Sequence, residues 1–99
     1  MIAVPWAYRV KPESRMLFEA IYSTEGEWAK LFRQAAGCGS TELLCRADGR
    51  YATIDCWVAA EDFKRFKEPF GALYEALDER CGALTLEEHF LGRFEISPL

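Results

Sequence analysis

RADGRYATIDCW, residues 46–57, is the stretch that decides the fold. Asp48-Gly49 stands between two β-prone runs, and this dipeptide readily takes the positive-φ geometry of a tight hairpin turn. In the strand that follows, Tyr51 to Val58, Ile54, Cys56 and Val58 share one face. Tyr51, Thr53, Asp55 and Trp57 share the other, because side chains alternate along a strand. Neither face reads as one meant for solvent, so this strand is expected to be covered on both sides.

Ile2 to Val10 repeats the pattern, with Ile2, Val4, Trp6, Tyr8 and Val10 opposite Ala3, Pro5 and Ala7. Pro5 cannot donate to a ladder, which predicts incomplete pairing around it. Lys11-Pro12 ends that strand, since proline is well tolerated just inside a helix start. From Glu13 to Ala36 apolar residues recur at helical spacing, interrupted at Gly26. Thr24 and Glu27 have the spacing of a capping box ahead of the Trp28–Phe32 run, so the segment reads as two helices, about 13–22 and 25–36. Gly37-Cys-Gly39 closes the second. Ser40 to Ala47, of mixed polarity, suits an edge strand.

Beyond the hairpin, Glu61 and Asp62 open a further helix, where the dipole favours negative charge. Phe63, Phe66, Phe70, Leu73, Tyr74 and Leu77 form its buried stripe, Pro69 is expected to kink or restart it, and Cys81-Gly82 closes it. Leu84 to Ile96 is the last strand, with Gly92 marking a bulge or a close backbone approach. The order β-α-β-β-α-β over a single domain, residues 1–99, is α+β and ferredoxin-like: a four-stranded antiparallel sheet with both helices on one face. The other sheet face is then bare, yet its residues are largely apolar, a patch of several hundred Å² that a monomer rarely exposes. A homodimer with the two sheets face to face resolves this.

With 51% hydrophobic and 14% aromatic residues, the chain can fold without disulfides or metal. A net charge of −4 and no basic stripe argue against nucleic acid and anionic membranes as partners. The longest apolar stretch, Met1 to Ala7, is too short to span a bilayer, leaving the cytoplasm as the expected compartment. Cys38, Cys45, Cys56 and Cys81 have no metal-ligand or CxxC spacing and read as reduced structural thiols. There is no phosphate loop, nucleophile elbow, or flavin or nicotinamide fingerprint.

Several pieces resemble the antibiotic biosynthesis monooxygenase family: Phe18…Tyr22…Gly26-Glu-Trp28…Leu31-Phe32, then Tyr51-Ala-Thr-Ile-Asp-Cys-Trp57, Phe63…Phe66, Tyr74…Leu77-Asp78, Leu84-Thr-Leu-Glu-Glu88 and Leu91-Gly-Arg-Phe94. The resemblance runs collinearly over nearly the whole chain. It implies a dimeric α+β barrel with a cavity between helices and sheet in each subunit. For activity it implies a cofactor-independent monooxygenase acting on a small aromatic or quinol-type substrate, or a non-catalytic homodimer that binds a small apolar ligand. The haem-degrading relatives use an asparagine, and this chain contains none. The Trp-x-Ser pattern at the strand end is here Trp57-Val-Ala.

Two residues are candidates for acid–base work. His89, the single histidine, could deprotonate a phenol near neutral pH; the plainer reading is a surface or barrel-lining histidine beside a carboxylate. Asp55, in the middle of an apolar strand, needs a partner if buried. It is read as an ion pair at the dimer interface with Arg9, Arg93 or His89, or else as a catalytic acid or base. Tyr22, Trp28, Trp57, Phe66 and Tyr74 could line an aromatic ligand pocket or simply form core.

Overall fold

The computed structural model describes residues 1–97. The elements are β1 (Ile2–Val10), a 3-10 turn (Pro12–Ser14), α1 (Arg15–Tyr22), α2 (Glu27–Arg33), β2 (Cys38–Cys45), β3 (Arg50–Trp57), α3 (Ala60–Gly82), β4 (Thr85–Phe90) and β5 (Phe94–Glu95). One antiparallel sheet has the order β2-β3-β1-β4, and β5 pairs with β1 beyond β4. The expected ferredoxin-like α+β arrangement is therefore present, with β2 at one edge.

The hairpin forms as its dipeptide requires. Gly49 sits at φ +84°, the Asp48 carboxylate accepts the Arg50 N–H at 3.2 Å, and the Arg46 N–H donates to the Arg50 carbonyl at 2.8 Å. β1 pairs with β3 from Ile2↔Trp57 to Arg9↔Arg50, unbroken at Pro5. The missing donor of Pro5 is felt on its other side. There the Pro5 carbonyl accepts the Leu91 N–H at 3.1 Å, and the last strand divides into β4 and β5. Between the pairs Trp6↔Phe90 and Ala3↔Phe94, three residues of the last strand face two of β1. Gly92 sits in that bulge at φ +110°.

Two helix expectations are corrected. The residue that caps α2 is Gly26, with no side-chain cap, so the Thr24–Glu27 box is not used. Gly26 is buried where α1 hands over to α2, its N–H bonded to the Ser23 carbonyl at 2.9 Å. A Cβ there would collide with the Ile21 carbonyl oxygen. The close packing of that turn thus selects glycine over a side-chain cap. Nor does Pro69 restart the following helix, since α3 runs through it for 23 residues. Pro69 and Arg65, one turn back, are both exposed, so water can satisfy the carbonyl that loses its donor.

Buried residues of β1 and β3 all share one parity, Ile2, Val4 and Val10 with Tyr51, Thr53 and Trp57, and they pack against Phe18, Phe32, Phe66, Leu77 and Cys81 of the helices. The opposite face carries Ala3, Pro5, Ala7, Leu44, Ala52, Ile54 and Phe94. Arg9, Arg50, Glu87 and His89 gather toward one end of that face. No described helix is long and apolar enough to cross a membrane.

Candidate functional site

A band of polar and aromatic side chains crosses the helix-facing side of the sheet. Asp55 on β3 stands opposite Val4 of β1 and Thr41 of β2. Thr53 is opposite Trp6, and Tyr8 is opposite Glu88 of β4, so Trp6, Tyr8, Thr53, Asp55 and Glu88 share one face. From above, α1 brings Tyr22, α2 brings Trp28 and Phe32, and α3 brings Tyr74 and Asp78. The rings brace one another, with centroids 5.2 Å apart for Tyr8–Tyr22, 6.0 Å for Tyr22–Trp28 and 5.1 Å for Trp28–Tyr74. Such tilted and edge-on pairs hold rings in fixed positions. They enclose a cavity of about 40 Å³, room for a few water molecules. Three of its lining residues, Glu42, Asp78 and Glu88, are exposed and form its rim.

The electrostatics are one-sided. Among the described residues, no lysine, arginine or histidine lines the cavity. The Asp55 carboxylate makes no ion pair or side-chain hydrogen bond with any described residue, and burial raises its pKa from 3.8 to about 7. Burial also pushes Tyr74 up to about 12, helped by the charges of Asp78, Asp55 and Glu88. Tyr8 rises for the same primary reason, with Asp55 and Glu88 adding to it. Against this works the Thr53 hydroxyl, which donates to the Tyr8 oxygen at 3.4 Å. Tyr22 is raised chiefly by burial. The Lys67 ammonium lies over the Tyr74 ring 4.9 Å from its centroid but does not line the cavity.

Among the residues singled out from sequence, Asp55, Tyr22, Trp28 and Tyr74 meet at this cavity. Trp57 and Phe66 do not. They are 0% and 2% exposed and lie behind Phe32, whose ring is 5.5 Å from Trp57 and 5.3 Å from Phe66. They belong to the buried core cluster. His89 projects from the opposite sheet face beside Ala7, its Nε2 3.4 Å from Glu87, which also pairs with Arg9 at 3.4 Å. Within the chain Asp55 pairs with neither Arg9 nor His89, because the sheet separates them, nor with Arg93.

The residues missed are Trp6, Tyr8, Asp78 and Glu88. A signal was available for Glu88, which shares parity with Phe90 on a strand where that parity otherwise reads apolar. The open sheet face holds a broader concavity of about 440 Å³ lined by residues such as Ala7, Leu44, Ala52, Arg50 and His89. It lacks an unpaired buried group, so the helix-side cavity is the better candidate. Among the described residues no cluster of three or more His, Cys, Asp or Glu could hold a metal ion.

The geometry defines a small α+β fold with an aromatic cavity and one buried carboxylate. Solved structures identify it as the fold of the antibiotic biosynthesis monooxygenases. SnoaB from Streptomyces nogalater, a cofactor-independent oxygenase, superposes with a TM-score of 0.66 at 22% identity, covering 99% of this chain and 94% of its own. A candidate antibiotic biosynthesis monooxygenase from Bordetella bronchiseptica gives 0.75 at 19% identity, covering 97% and 96%. Another from Nitrosomonas europaea gives 0.73 at 17%, covering 97% and 98%. No family model and no curated protein matches the sequence.

Proposed function

We propose that this protein is a cofactor-independent oxygenase acting on a small electron-rich phenol or quinol, with Asp55 as its base. The observation that carries the reading is Asp55 itself: a carboxylate turned into an aromatic cavity, unpaired, and half-ionised near pH 7. General bases work best at such a pKa. Support also comes from the fold, shared with a cofactor-independent oxygenase. In the proposed step Asp55 takes the phenolic proton of a substrate whose para carbon carries hydrogen. The anion gives one electron to O2, and the radical pair joins through a new C–O bond. The resulting peroxide regains the proton from Asp55 and expels water to leave a carbonyl, so one O2 yields one quinone oxygen and one water. A six-membered ring needs more than the present space, so Trp6 and Tyr74, both only partly buried, must rotate aside to admit it. The open sheet face is covered by a second copy in this reading, and the free thiols suit a reducing cytoplasm.

The test is oxygen consumption with a panel of phenols, catechols and 1-naphthols that carry hydrogen para to a hydroxyl. Uptake should rise as pH passes about 7 and fall by roughly 10²–10⁴ in Asp55→Asn. An Asp55→Asn protein that folds and keeps its rate refutes Asp55 as base. The small cavity favours a second reading, a non-catalytic homodimer that binds a small ligand. That reading holds if no phenol drives oxygen uptake but one raises the melting temperature.

A further inference from the structure

The cavity as described poses a difficulty for any ligand that becomes an anion inside it. Every exposed residue of its lining is acidic, Glu42, Asp78 and Glu88, and the one charged group within is Asp55. No cation among the described residues lines it to offset a phenolate. The protein's own phenols show the consequence, since Tyr8 and Tyr74 are both made harder to ionise by burial and by these carboxylates. A neutral phenolic ligand would meet the same opposition.

From this arrangement we infer that the cavity selects ligands bearing their own positive charge: small aryl-alkylammonium compounds whose ring enters among Tyr8, Trp28 and Tyr74 and whose ammonium stays at the rim between Asp78 and Glu88. Asp55, enclosed and without a partner, points to a ligand apart from the acidic rim, because a buried carboxylate left unpaired is costly unless something polar meets it. Rim carboxylates attract a cation to the mouth and repel anions. Ring faces add cation–π attraction, of which Lys67 over Tyr74 is an example already present in the molecule. For the chemistry, a fixed ammonium near the ring lowers the cost of forming the phenolate. The inference thus names the substrate class of the proposed oxygenase and rests on that reading for catalysis alone; charge preference in binding stands apart from it.

Matched probes test it. Tyramine, 4-ethylphenol and 3-(4-hydroxyphenyl)propionate share a ring and differ in charge at the far end. Binding is followed at neutral pH and low salt by quenching of tryptophan fluorescence, to which Trp6 and Trp28 contribute from the cavity wall. The expected order is tyramine, then 4-ethylphenol, then the propionate, with about tenfold between the first two. That gap should narrow to about twofold in an Asp78→Asn/Glu88→Gln protein and shrink with added salt. Equal or tighter binding of the neutral or anionic probe overturns the inference, as does a preference that survives the double substitution, or no tyramine binding at millimolar concentration. The probes carry carbon para to the hydroxyl and serve for binding alone, so oxygen uptake is read on the para-unsubstituted panel: charge preference without uptake there leaves the inference standing and removes the catalytic proposal.

Discussion

Replacing Asp55 by asparagine should make the protein more stable at neutral and alkaline pH, and the size of the gain follows from the site. The carboxyl titrates near 3.8 in an ordinary setting and near 7 in the fold, because burial opposes its charge. Below pH 3.8 it is neutral in both states and costs nothing. As pH rises toward 7 the unfolded chain releases the proton while the folded one holds it, so stability falls through that window and levels off above it. A difference of about 3 pH units at 1.36 kcal/mol each gives a full cost of about 4 kcal/mol. Nothing near the carboxylate offsets this. Facing it are Tyr8 of β1, Thr41 of β2, Thr53 of β3, Glu88 of β4, Tyr22 and Trp28 of α1 and α2, and Tyr74 and Asp78 of α3, while Glu42, opposite Ile54, borders the cavity from the edge strand. If water and side-chain relaxation remove about half of it, Asn should still gain roughly 2 kcal/mol, about 10 °C in Tm for a domain of this size. Thermal unfolding by circular dichroism at pH 4, 6 and 8, at one protein concentration, measures it. The gain should be near zero at pH 4 and largest at pH 8. A variant no more stable than the parent at pH 8, or a gain independent of pH, refutes the account of Asp55 as buried and unpaired.

Three further outcomes follow. His89→Ala should change stability by less than ~0.5 kcal/mol and oxygen uptake by less than about twofold, because its pair with Glu87 is exposed and on the far side of the sheet from the cavity; a large fall in uptake would return His89 to the site. If a second copy covers the open sheet face, light scattering should give twice the 11.3 kDa chain mass, and Leu44→Asp on that face should give a monomer; a parent that runs as a monomer at micromolar concentration sinks the dimer. Gly26→Ala should cost about 2 kcal/mol or more in denaturant unfolding, since its methyl would strike the Ile21 carbonyl where α1 meets α2; an unchanged midpoint would show that this turn has slack.

What the sequence made legible was local. Alternation along Tyr51–Trp57 and Ile2–Val10 sorted side chains onto faces correctly, and Asp48-Gly49 placed the hairpin, because strand parity and turn chemistry need only neighbouring residues. Which face would meet helices and which would be open depends on pairings between distant segments. That is why Arg9 and His89 read as possible partners of Asp55 although they lie on the other face of the sheet. Only the register Val4↔Asp55 and Ala7↔His89 reveals that the two groups cannot meet. Depth was equally hidden. Trp28 and Trp57 look alike as aromatic residues in apolar segments, but Phe32 stands between Trp57 and the cavity while Trp28 forms its wall. Trp6 and Tyr8 escaped notice because β1 is apolar along its whole length, and nothing local distinguishes a ring that lines a cavity from one that fills a core.

The cost assigned to Asp55 bears on function as well as stability. A side chain that holds a fold together sits where its charge or bulk is satisfied, as Phe18 and Cys81 do at 0% exposure. Asp55 is the opposite case: above neutral pH its charge opposes folding by roughly 2 kcal/mol, and valine on a β-strand in its place would remove that cost while suiting the sheet better. Its neighbours sharpen the contrast, since the carboxylates on the rim are exposed, where charge costs little. A destabilising group enclosed by aromatic walls has the character of a residue that acts on something entering the cavity. If Asp55 is the base we propose, the acidic rim acts before it, because it sets the charge of whatever reaches Asp55.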